Sequence, residues 1–558
     1  MKKFLYYPSN NMSNPCVIVQ SNMEVLLNVD SEQHHEARDA IAPFTELVKS
    51  PEHFHTYSIS HLSLWNAAST GLMAEDVLER LKKYSAYEIP ANVAVEITEY
   101  MQRYGILRLK LDNGNLVLES DSEPLFLELC KRKEIQGYIE SFISKTAAVV
   151  SPLVRGKLKI VLTELGFPVQ DIAGYVRGEP LEIELNQSFE LRDYQKDAAQ
   201  VFYASGSEKG GSGVIVLPCG SGKTIIGMAV MALVKAHTLI LTPSVTAARQ
   251  WIREILQKTT LTKEQVKEYS GDVKEIGQVT VATYQILTQR KRQDGEFTNF
   301  SLFESQKWGL MIYDEVHLLP APVFRFSADM QATRRLGLTA TLVREDHKET
   351  EVFSLIGPKK FDIPWRVLEA QGWIAQAKCH EIRVPMNSEQ RISYAVAPLR
   401  EKISIAGCNP EKFCIVKNLL EKHSEENDRI LIIGQYIEQL EALAKEIDVP
   451  LITGKTPNKE RDRIYDSFRN GEIRILMVSK VGNFAIDLPD ASVLIQISGT
   501  FGSRQEEAQR LGRVLRPKKD GRPAMFYSLV TKDSREQEFA MNRQLFLAEQ
   551  GYIYYIDN

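Results

Sequence analysis

The sequence predicts an α/β protein in which two parallel-sheet domains are preceded by small α+β domains. From about residue 190 onward, short apolar runs alternate with longer amphipathic stretches, a pattern typical of parallel strands joined by helical crossovers. The runs fall into two series, each large enough for one doubly wound sheet. The first series is GVIVLP, TLILTP, VTVATY, GLMIYDE and RRLGLTAT, and the second is RILIIGQ, IRILMVSK, SVLIQIS and AMFYSLV.

The length of 558 residues is too great for a single hydrophobic core. The connection between the two series of strands is expected near Pro364 to Gly372. We therefore predict four domains. They span residues 1–120, 121–186, 187–366 and 367–558, the last two being the parallel-sheet domains.

The region before residue 190 carries helix and hairpin signals. Ala74 to Tyr84 and Ala91 to Tyr104 read as amphipathic helices, and Gly105 ends the second. In ILRLKLDNGNLVLES, apolar residues alternate with polar ones on both sides of Asn113-Gly114, which indicates a hairpin. Two helices and a hairpin could form a DNA-binding winged helix. They could equally form a small domain that binds a protein partner or braces its neighbour.

Composition limits the classes of function. A net charge of −4 argues against a protein that coats nucleic acid through global charge, so any contact with nucleic acid must be local. The 6 cysteines form no CxxC pair, which favours reduced thiols in a cytoplasmic protein. The apolar run at the N-terminus stops at Pro8, too early for a signal peptide, and no run is long enough to cross a membrane.

A glycine-rich loop follows the first apolar run of the region after residue 190. In VIVLPCGSGKTIIGMAV, a buried strand leads into a glycine-rich turn and then into an apolar helix. Glycines let backbone N–H groups approach phosphates, the lysine adds a positive charge, and the threonine hydroxyl suits Mg²⁺. The residues predicted to bind ATP phosphates are Pro218, Cys219, Gly220, Ser221, Gly222, Lys223 and Thr224.

Two acidic residues end a later strand. GLMIYDEVH places Asp314 and Glu315 directly after four apolar residues. Asp314 is predicted to hold Mg²⁺ together with Thr224, and Glu315 to act as the general base that polarises the attacking water. An apolar run ending in Asp-Glu is a weak signal by itself, but it becomes specific when a phosphate loop precedes it.

An arginine-rich helix is predicted after the last strand but one of the second series. In QEEAQRLGRVLRP, Arg510, Arg513 and Arg516 recur at three-residue steps along one helix face, with Gln509 beside the first. This segment resembles the superfamily 2 helicase motif in which arginines reach the γ-phosphate. The resemblance implies that Gln509, Arg513 and Arg516 are catalytic, and an arginine finger of this kind raises the rate by about 10³ to 10⁵.

Further segments resemble the same superfamily. Leu191-Arg192-Asp193-Tyr194-Gln195 resembles the adenine-reading motif, in which Arg192 and Gln195 would contact the nucleotide. Thr339-Ala340-Thr341 resembles the segment that links hydrolysis to strand contact. The residues predicted by resemblance to bind DNA or couple it to hydrolysis are Arg249, Gln250, Trp251, Thr283, Thr339, Thr341, Arg344, Glu345, Asp346 and Gly482.

GLTATLVRED, LIGPKKFDIPWRVLEAQGWIA and ISGTFGSRQEEAQRLGRVLRP together resemble the XPB helicases, over about residues 185 to 535. This resemblance implies two RecA-like domains, and assigns Arg344-Glu345-Asp346 to DNA opening. It implies a thumb-like insertion near residues 386–408 and a damage-recognition-like domain at 121–186. The expected cofactors are ATP and Mg²⁺, and the expected substrate is duplex, forked or 3′-tailed DNA. We also expect a monomeric enzyme of the bacterial type. Its candidate partner is a repair nuclease or another repair protein.

The expected activity is 3′-5′ DNA unwinding driven by ATP, in repair or transcription-linked opening of duplex DNA. Two alternatives stay open at the level of sequence. The motor could translocate along duplex DNA without separating its strands, or it could act as a nucleotide-switched DNA clamp.

Overall fold

The computed structural model shows two compact units, residues 1–106 with 166–168 and residues 107–165 with 169–558. It describes most of the chain. The described ranges are 15–50, 53–187, 189–218, 220–289, 301–320, 333–340, 348–363, 365–425, 428–479, 491–499, 522–549 and 554–557, with the single positions 299, 323, 327, 329, 330, 331, 342 and 552.

The first unit combines an antiparallel sheet with four helices. The strands are β1 Val17–Val19, β2 Glu24–Asn28, β3 Glu46–Lys49 and β4 Phe54–Ser58, in the order β1-β2-β4-β3. The helices are α1 His34–Ile41, α2 His61–Ser69, α3 Ala74–Tyr84 and α4 Ala91–Arg103. The sequence predicted α3 and α4 because their apolar residues repeat at helical spacing, and those residues are buried in the structure.

The second unit begins with a five-stranded sheet. Its strands are β5 Leu107–Asp112, β6 Asn115–Ser120, β7 Ile139–Ser144, β8 Ala147–Val150 and β9 Val169–Asp171, in the order β7-β8-β6-β5-β9. Its helices are α5 Glu123–Lys131, α6 Lys133–Gln136 and α7 Arg155–Glu164.

The predicted hairpin forms as β5 and β6. Asn113 and Gly114 make the turn with φ angles of 49° and 83°, as a two-residue turn between twisted strands requires. The hairpin pairs with β8 on one side and β9 on the other. It therefore belongs to the sheet of the second unit.

The first large sheet is parallel in every ladder and has seven strands. They are β10 Ser212–Val216, β11 Thr238–Thr242, β12 Val266–Tyr269, β13 Val279–Thr283, β14 Leu310–Asp314, β15 Arg334–Thr339 and β16 Lys359–Asp362, in the order β12-β13-β11-β14-β15-β10-β16. The helices that accompany it are α8 Asp193–Tyr203, α9 Lys223–Val234, α10 Val245–Lys258, α11 Tyr284–Leu287, α12 Ser301–Glu304, α13 Glu349–Leu355 and α14 Trp365–Ala370.

The second large sheet is built the same way. Its strands are β17 Ala377–Val384, β18 Ile430–Ile433, β19 Leu451–Ile452, β20 Ile475–Val478, β21 Val493–Gln496, β22 Ala524–Thr531 and β23 Tyr554–Asp557, in the order β19-β20-β18-β21-β22-β17-β23. The helices are α15 Ser388–Val396, α16 Leu399–Gly407, α17 Glu411–Lys422, α18 Ile437–Ile447, α19 Asn458–Asn470 and α20 Arg535–Glu549. The prediction of two parallel-sheet domains is confirmed, and α15 with α16 occupies the stretch predicted as an insertion.

The central strands of both sheets are buried on both faces, which is why they read as continuous apolar runs in the sequence. Within the described part of the chain, every helix falls short of the length and apolar character that a membrane crossing needs.

Candidate nucleotide and metal site

The phosphate loop joins β10 to α9 at the carboxyl edge of the first large sheet. Gly220 and Gly222 have φ angles of 81° and 87°, a conformation that residues with a side chain rarely adopt. At Gly222 a β-carbon would also lie 2.7 Å from Nε2 of Gln195. Ser221 closes the turn, since its hydroxyl donates to the carbonyl of Pro218 at 2.6 Å. Helix α9 begins at Lys223, so its free N–H groups face the loop, where an anion would bind.

Lys223 and Glu315 form an ion pair at the centre of this edge. Lys223 Nζ donates to Glu315 Oε1 at 2.6 Å, and the two side chains are only 12% and 14% exposed. Their strands, β10 and β14, are separated by β15 alone, and all three end at the same edge because the sheet is parallel. Sequence positions 92 residues apart are thus brought into contact.

The two neighbouring carboxylates have opposite electrostatic environments. Burial, and then the negative charge of Glu315, raise the pKa of Asp314 to about 6. Burial also opposes ionisation of Glu315, but the charge of Lys223, followed by that of His317, outweighs it and lowers the pKa of Glu315 overall. Glu315 is therefore held ionised, while Asp314 is the weaker acid of the pair.

Glu315 sits in a strained backbone conformation. Its φ of 49° is in the left-handed region, which costs a non-glycine residue about 1–3 kcal/mol. His317 lies behind it, with Nδ1 at 3.5 Å from Glu315 Oε2 and at 2.6 Å from the Thr339 hydroxyl. His317 Nδ1 is thus hydrogen-bonded to the end of β15 and lies near the carboxylate of Glu315.

Gln195, one of the two predicted adenine-reading residues, contacts the phosphate loop. The Gln195 side chain is buried, its Oε1 accepts from the Arg192 backbone N–H at 3.1 Å, and its Nε2 donates to the Ser221 carbonyl at 3.1 Å. Tyr194, which sequence reasoning did not single out, donates to the same carbonyl at 2.5 Å. The Arg192 guanidinium stacks over Trp373 with 4.2 Å to the ring centroid. Base recognition by Arg192 and Gln195 stays a prediction.

Helix α10 divides its predicted DNA-binding residues between two environments. The Arg249 side chain is 55% exposed and pairs with Glu268 and Asp272 at 3.1 and 3.3 Å. Gln250 donates to Glu254 at 3.0 Å. Trp251 is only 2% exposed and faces the core, so the prediction that it contacts DNA is wrong: its ring is enclosed and its indole N–H is already bonded within the protein.

Of the remaining predicted site residues, the structure describes Thr283 and Thr224. Thr283 is buried and caps α11, where its hydroxyl accepts from the Ile286 N–H at 3.4 Å. Thr224 is half-buried in the first turn of α9. The predicted residues that lie outside the described residues are Cys219, Thr341, Arg344, Glu345, Asp346, Gly482, Gln509, Arg510, Arg513 and Arg516.

The donor set at this edge fits a small hard cation. A threonine hydroxyl and an aspartate carboxylate are oxygen ligands of the kind that Mg²⁺ prefers, with water and phosphate oxygens completing its octahedron. Among the described residues, histidine, cysteine and acidic side chains nowhere gather into a group of three or more that could hold a metal by themselves.

Comparison with known proteins identifies the family. Residues 368–557 match the family described as ERCC3/RAD25/XPB C-terminal helicase, and residues 188–344 match the type III restriction enzyme res subunit. Residues 17–141 match a family described as helicase conserved C-terminal domain.

Full-length relatives agree with these matches. The chain is 51% identical to the DNA 3′-5′ helicase XPB of Mycobacterium tuberculosis, over 98% of both chains. It is 50% identical to the protein of the same name from Kineococcus radiotolerans, over 98% of this chain and 97% of the relative. A general transcription and DNA repair factor IIH helicase/translocase subunit XPB from Enterocytozoon bieneusi is 34% identical, over 95% of this chain and 90% of the relative. The chain therefore belongs to the XPB family of helicases.

Proposed function

We propose that this protein is an ATP-dependent 3′-5′ DNA helicase that couples ATP hydrolysis to the opening of duplex DNA, in repair or in transcription-linked processes. The observation that carries the proposal is the Lys223–Glu315 pair of 2.6 Å, with Asp314 beside it, at the edge where the phosphate loop ends. The names and extent of the similar proteins support the polarity and the DNA substrate.

Hydrolysis starts with an exchange of partners. Lys223 leaves Glu315 and binds the β- and γ-phosphates, while the N–H groups of the loop and of the first turn of α9 surround them. Glu315 is then free to orient the attacking water and accept its proton. Before this exchange, the charge of Lys223 outweighs the effect of burial and lowers the pKa of Glu315, so the carboxylate is already ionised when the nucleotide arrives.

Thr224 and Asp314 would hold Mg²⁺, which supplies charge neutralisation for the transferred phosphoryl group. Asp314 needs to be ionised for this role. Because its pKa is raised to about 6, the carboxylate is charged at pH 7 but loses its charge under mildly acidic conditions.

Residues of the second parallel-sheet domain, 367–558, are proposed to complete the site. Gln509, Arg513 and Arg516 follow β21 in the chain, and the family resemblance assigns them to the γ-phosphate. If these three side chains contact the γ-phosphate bound at the first parallel-sheet domain, nucleotide binding would draw the two parallel-sheet domains together and nucleotide release would let them separate.

DNA is proposed to run over the surface that includes Arg249 and Gln250, with Thr339, Thr341, Gly482 and the Arg344-Glu345-Asp346 segment coupling it to hydrolysis. Arg249 is the best supported of these residues because its side chain is half exposed. Glu268 and Asp272 compete for it, so a DNA phosphate must displace them. We also propose that the enzyme is monomeric and cytoplasmic, and that it works with a repair nuclease or another repair protein.

Unwinding assays on tailed duplexes test the proposal. With Mg²⁺ and ATP, the protein should separate a 3′-tailed duplex in a stopped-flow assay and leave a matched 5′-tailed duplex intact. Glu315→Gln should bind ATP and lower turnover by about 10²-fold or more, the range expected for loss of a general base. DNA-stimulated ATPase without strand separation would replace the helicase by a duplex translocase, and nucleotide-dependent DNA binding without turnover would replace it by a clamp.

A further inference from the structure

Trp251 occupies a notch between α10 and α9. The ring is buried, and on the facing helix a β-carbon added at Gly227 would lie 2.4 Å from Cη2 of the indole. An indole fits here only because residue 227 has no side chain. The position of the ring is thus fixed by packing before any hydrogen bond is considered.

The indole is directed at the metal carboxylate. Trp251 Nε1 donates to Asp314 Oδ2 at 3.0 Å. An indole N–H can only donate, so the contact requires an acceptor oxygen on Asp314 and fixes one orientation of its carboxyl group.

A second aromatic residue holds the backbone at the same position. The Tyr284 hydroxyl donates to the carbonyl of Asp314 at 2.8 Å. Tyr284 begins α11 directly after β13, whereas Trp251 comes from α10, so two separate elements hold one aspartate. Neither aromatic residue belongs to the phosphate loop or to the strand that carries Asp314.

We propose that Trp251 and Tyr284 are positioning residues that orient Asp314 for Mg²⁺, an inference that rests on the proposed function. Residues that hydrogen-bond to a metal ligand set its orientation, and their loss lowers metal affinity by about 10- to 100-fold. Removing the indole N–H should therefore weaken nucleotide binding only when Mg²⁺ is present. A purely structural role would weaken binding equally with and without the cation.

Trp251→Phe tests this inference, because it removes the N–H and keeps an aromatic ring. The matched control is Trp308→Phe. Trp308 is also buried in the first parallel-sheet domain, but its indole N–H donates to the carbonyl of Leu302 at 3.2 Å and not to Asp314. A fluorescent ADP analogue is titrated into each full-length protein, once with Mg²⁺ and once with EDTA. Tyr284→Phe, which removes the hydroxyl that donates to the Asp314 carbonyl, is measured beside them.

Trp251→Phe should weaken Mg²⁺-dependent binding by about 10-fold or more and leave binding in EDTA at the wild-type value. The Mg²⁺ concentration for half-maximal ATPase should rise by a similar factor, while the KM for ATP at saturating Mg²⁺ stays close to wild type. Trp308→Phe should change neither quantity.

Wild-type Mg²⁺ dependence in Trp251→Phe, or an equal loss of binding in EDTA, would overturn the inference while leaving the proposed function intact. If Trp251→Phe does not fold, unaltered Mg²⁺ dependence in Tyr284→Phe overturns it in the same way. Binding in the wild-type protein that does not depend on Mg²⁺ would also overturn the inference, whereas a wild-type protein that does not hydrolyse ATP with Mg²⁺ present would overturn the proposed function.

Discussion

Asp314→Asn should make the protein more stable at neutral pH while abolishing its ATPase activity. At pH 7 the wild-type carboxylate is charged, although burial and the neighbouring charge of Glu315 disfavour that charge. Asparagine has nearly the same shape and keeps an oxygen that can accept the Trp251 N–H. The substitution therefore removes an electrostatic penalty without leaving the indole unpaired.

The size of this effect follows from the pKa. The pKa of Asp314 is raised from 3.8 to about 6. At 1.36 kcal/mol for each pKa unit, this difference corresponds to about 3 kcal/mol of unfolding free energy at pH 7. Asp314 keeps some solvent contact, so this value is an upper bound. For a domain of this size it would raise Tm by roughly 6 to 12 °C at most.

The raised pKa of Asp314 also determines how the Tm difference between Asp314→Asn and wild type changes with pH. Because the pKa is higher in the folded protein, protonation stabilises the fold below about pH 4, and this stability is lost as the pH rises through about 6. The Tm of Asp314→Asn minus that of wild type should accordingly be near zero at about pH 4 and reach its full value above about pH 6.

Thermal unfolding followed by circular dichroism between about pH 4 and pH 8 measures this difference. Asp197→Asn is the control, since Asp197 is exposed on α8 and its substitution should leave Tm unchanged. A lower Tm for Asp314→Asn at pH 7, or a difference that does not vary with pH, would refute the reasoning.

Three further predictions concern packing, a buried charge and DNA. Gly227→Ala places a β-carbon 2.4 Å from the Trp251 ring and should cost about 1–3 kcal/mol in thermal unfolding, so an unchanged Tm would contradict the packing argument. Lys412 is fully buried and pairs with Glu536 at 2.8 Å; Lys412→Met should cost about 3–5 kcal/mol, and adding Glu536→Gln should recover part of that loss rather than increase it. DNA affinity should fall with salt with a log-log slope of about −0.9 for each phosphate contact, and Arg249→Gln should make that slope shallower by about one contact. An unchanged slope in binding titrations would mean that Arg249 stays in its intramolecular ion pairs.

Local sequence pattern was sufficient to predict the phosphate loop and the acidic end of β14. The phosphate loop was predictable because a buried strand, a glycine turn and an apolar helix are consecutive in the sequence, and the structure has them as β10, the loop and α9. Asp314 and Glu315 were predictable for the same reason, since they end a continuous apolar strand. The contact between Glu315 and Lys223 was not predicted, and the structure shows it at the edge where the parallel strands end.

Strand partners were not predictable in the same way. Alternation of apolar and polar residues showed that β5 and β6 form a hairpin, but alternation is the same whichever strand lies alongside. Leu107 pairs with Val169, 62 residues away in the chain, and only packing selects that neighbour.

Trp251 was placed on the wrong side of its helix, although a signal was present. Ala248, Trp251 and Ile255 are spaced by three and four residues and form the buried stripe of α10, so Trp251 shares the core face and Arg249 does not. The family resemblance treated the three consecutive residues 249–251 as one DNA-binding segment. In a helix, consecutive residues point in different directions, so a linear motif does not define a surface.

The sequence by itself predicted which residues would carry the chemistry, because loop, strand and helix signals depend on neighbours a few positions apart. It determined the parallel-sheet class and the order of the motifs for the same reason. Only the tertiary structure decided what holds those residues in place: Tyr194 and Gln195 on the loop carbonyl, Trp251 and Tyr284 on Asp314, and His317 between Glu315 and Thr339. These contacts join distant parts of the chain across packed elements, and local pattern carries no information about such distances.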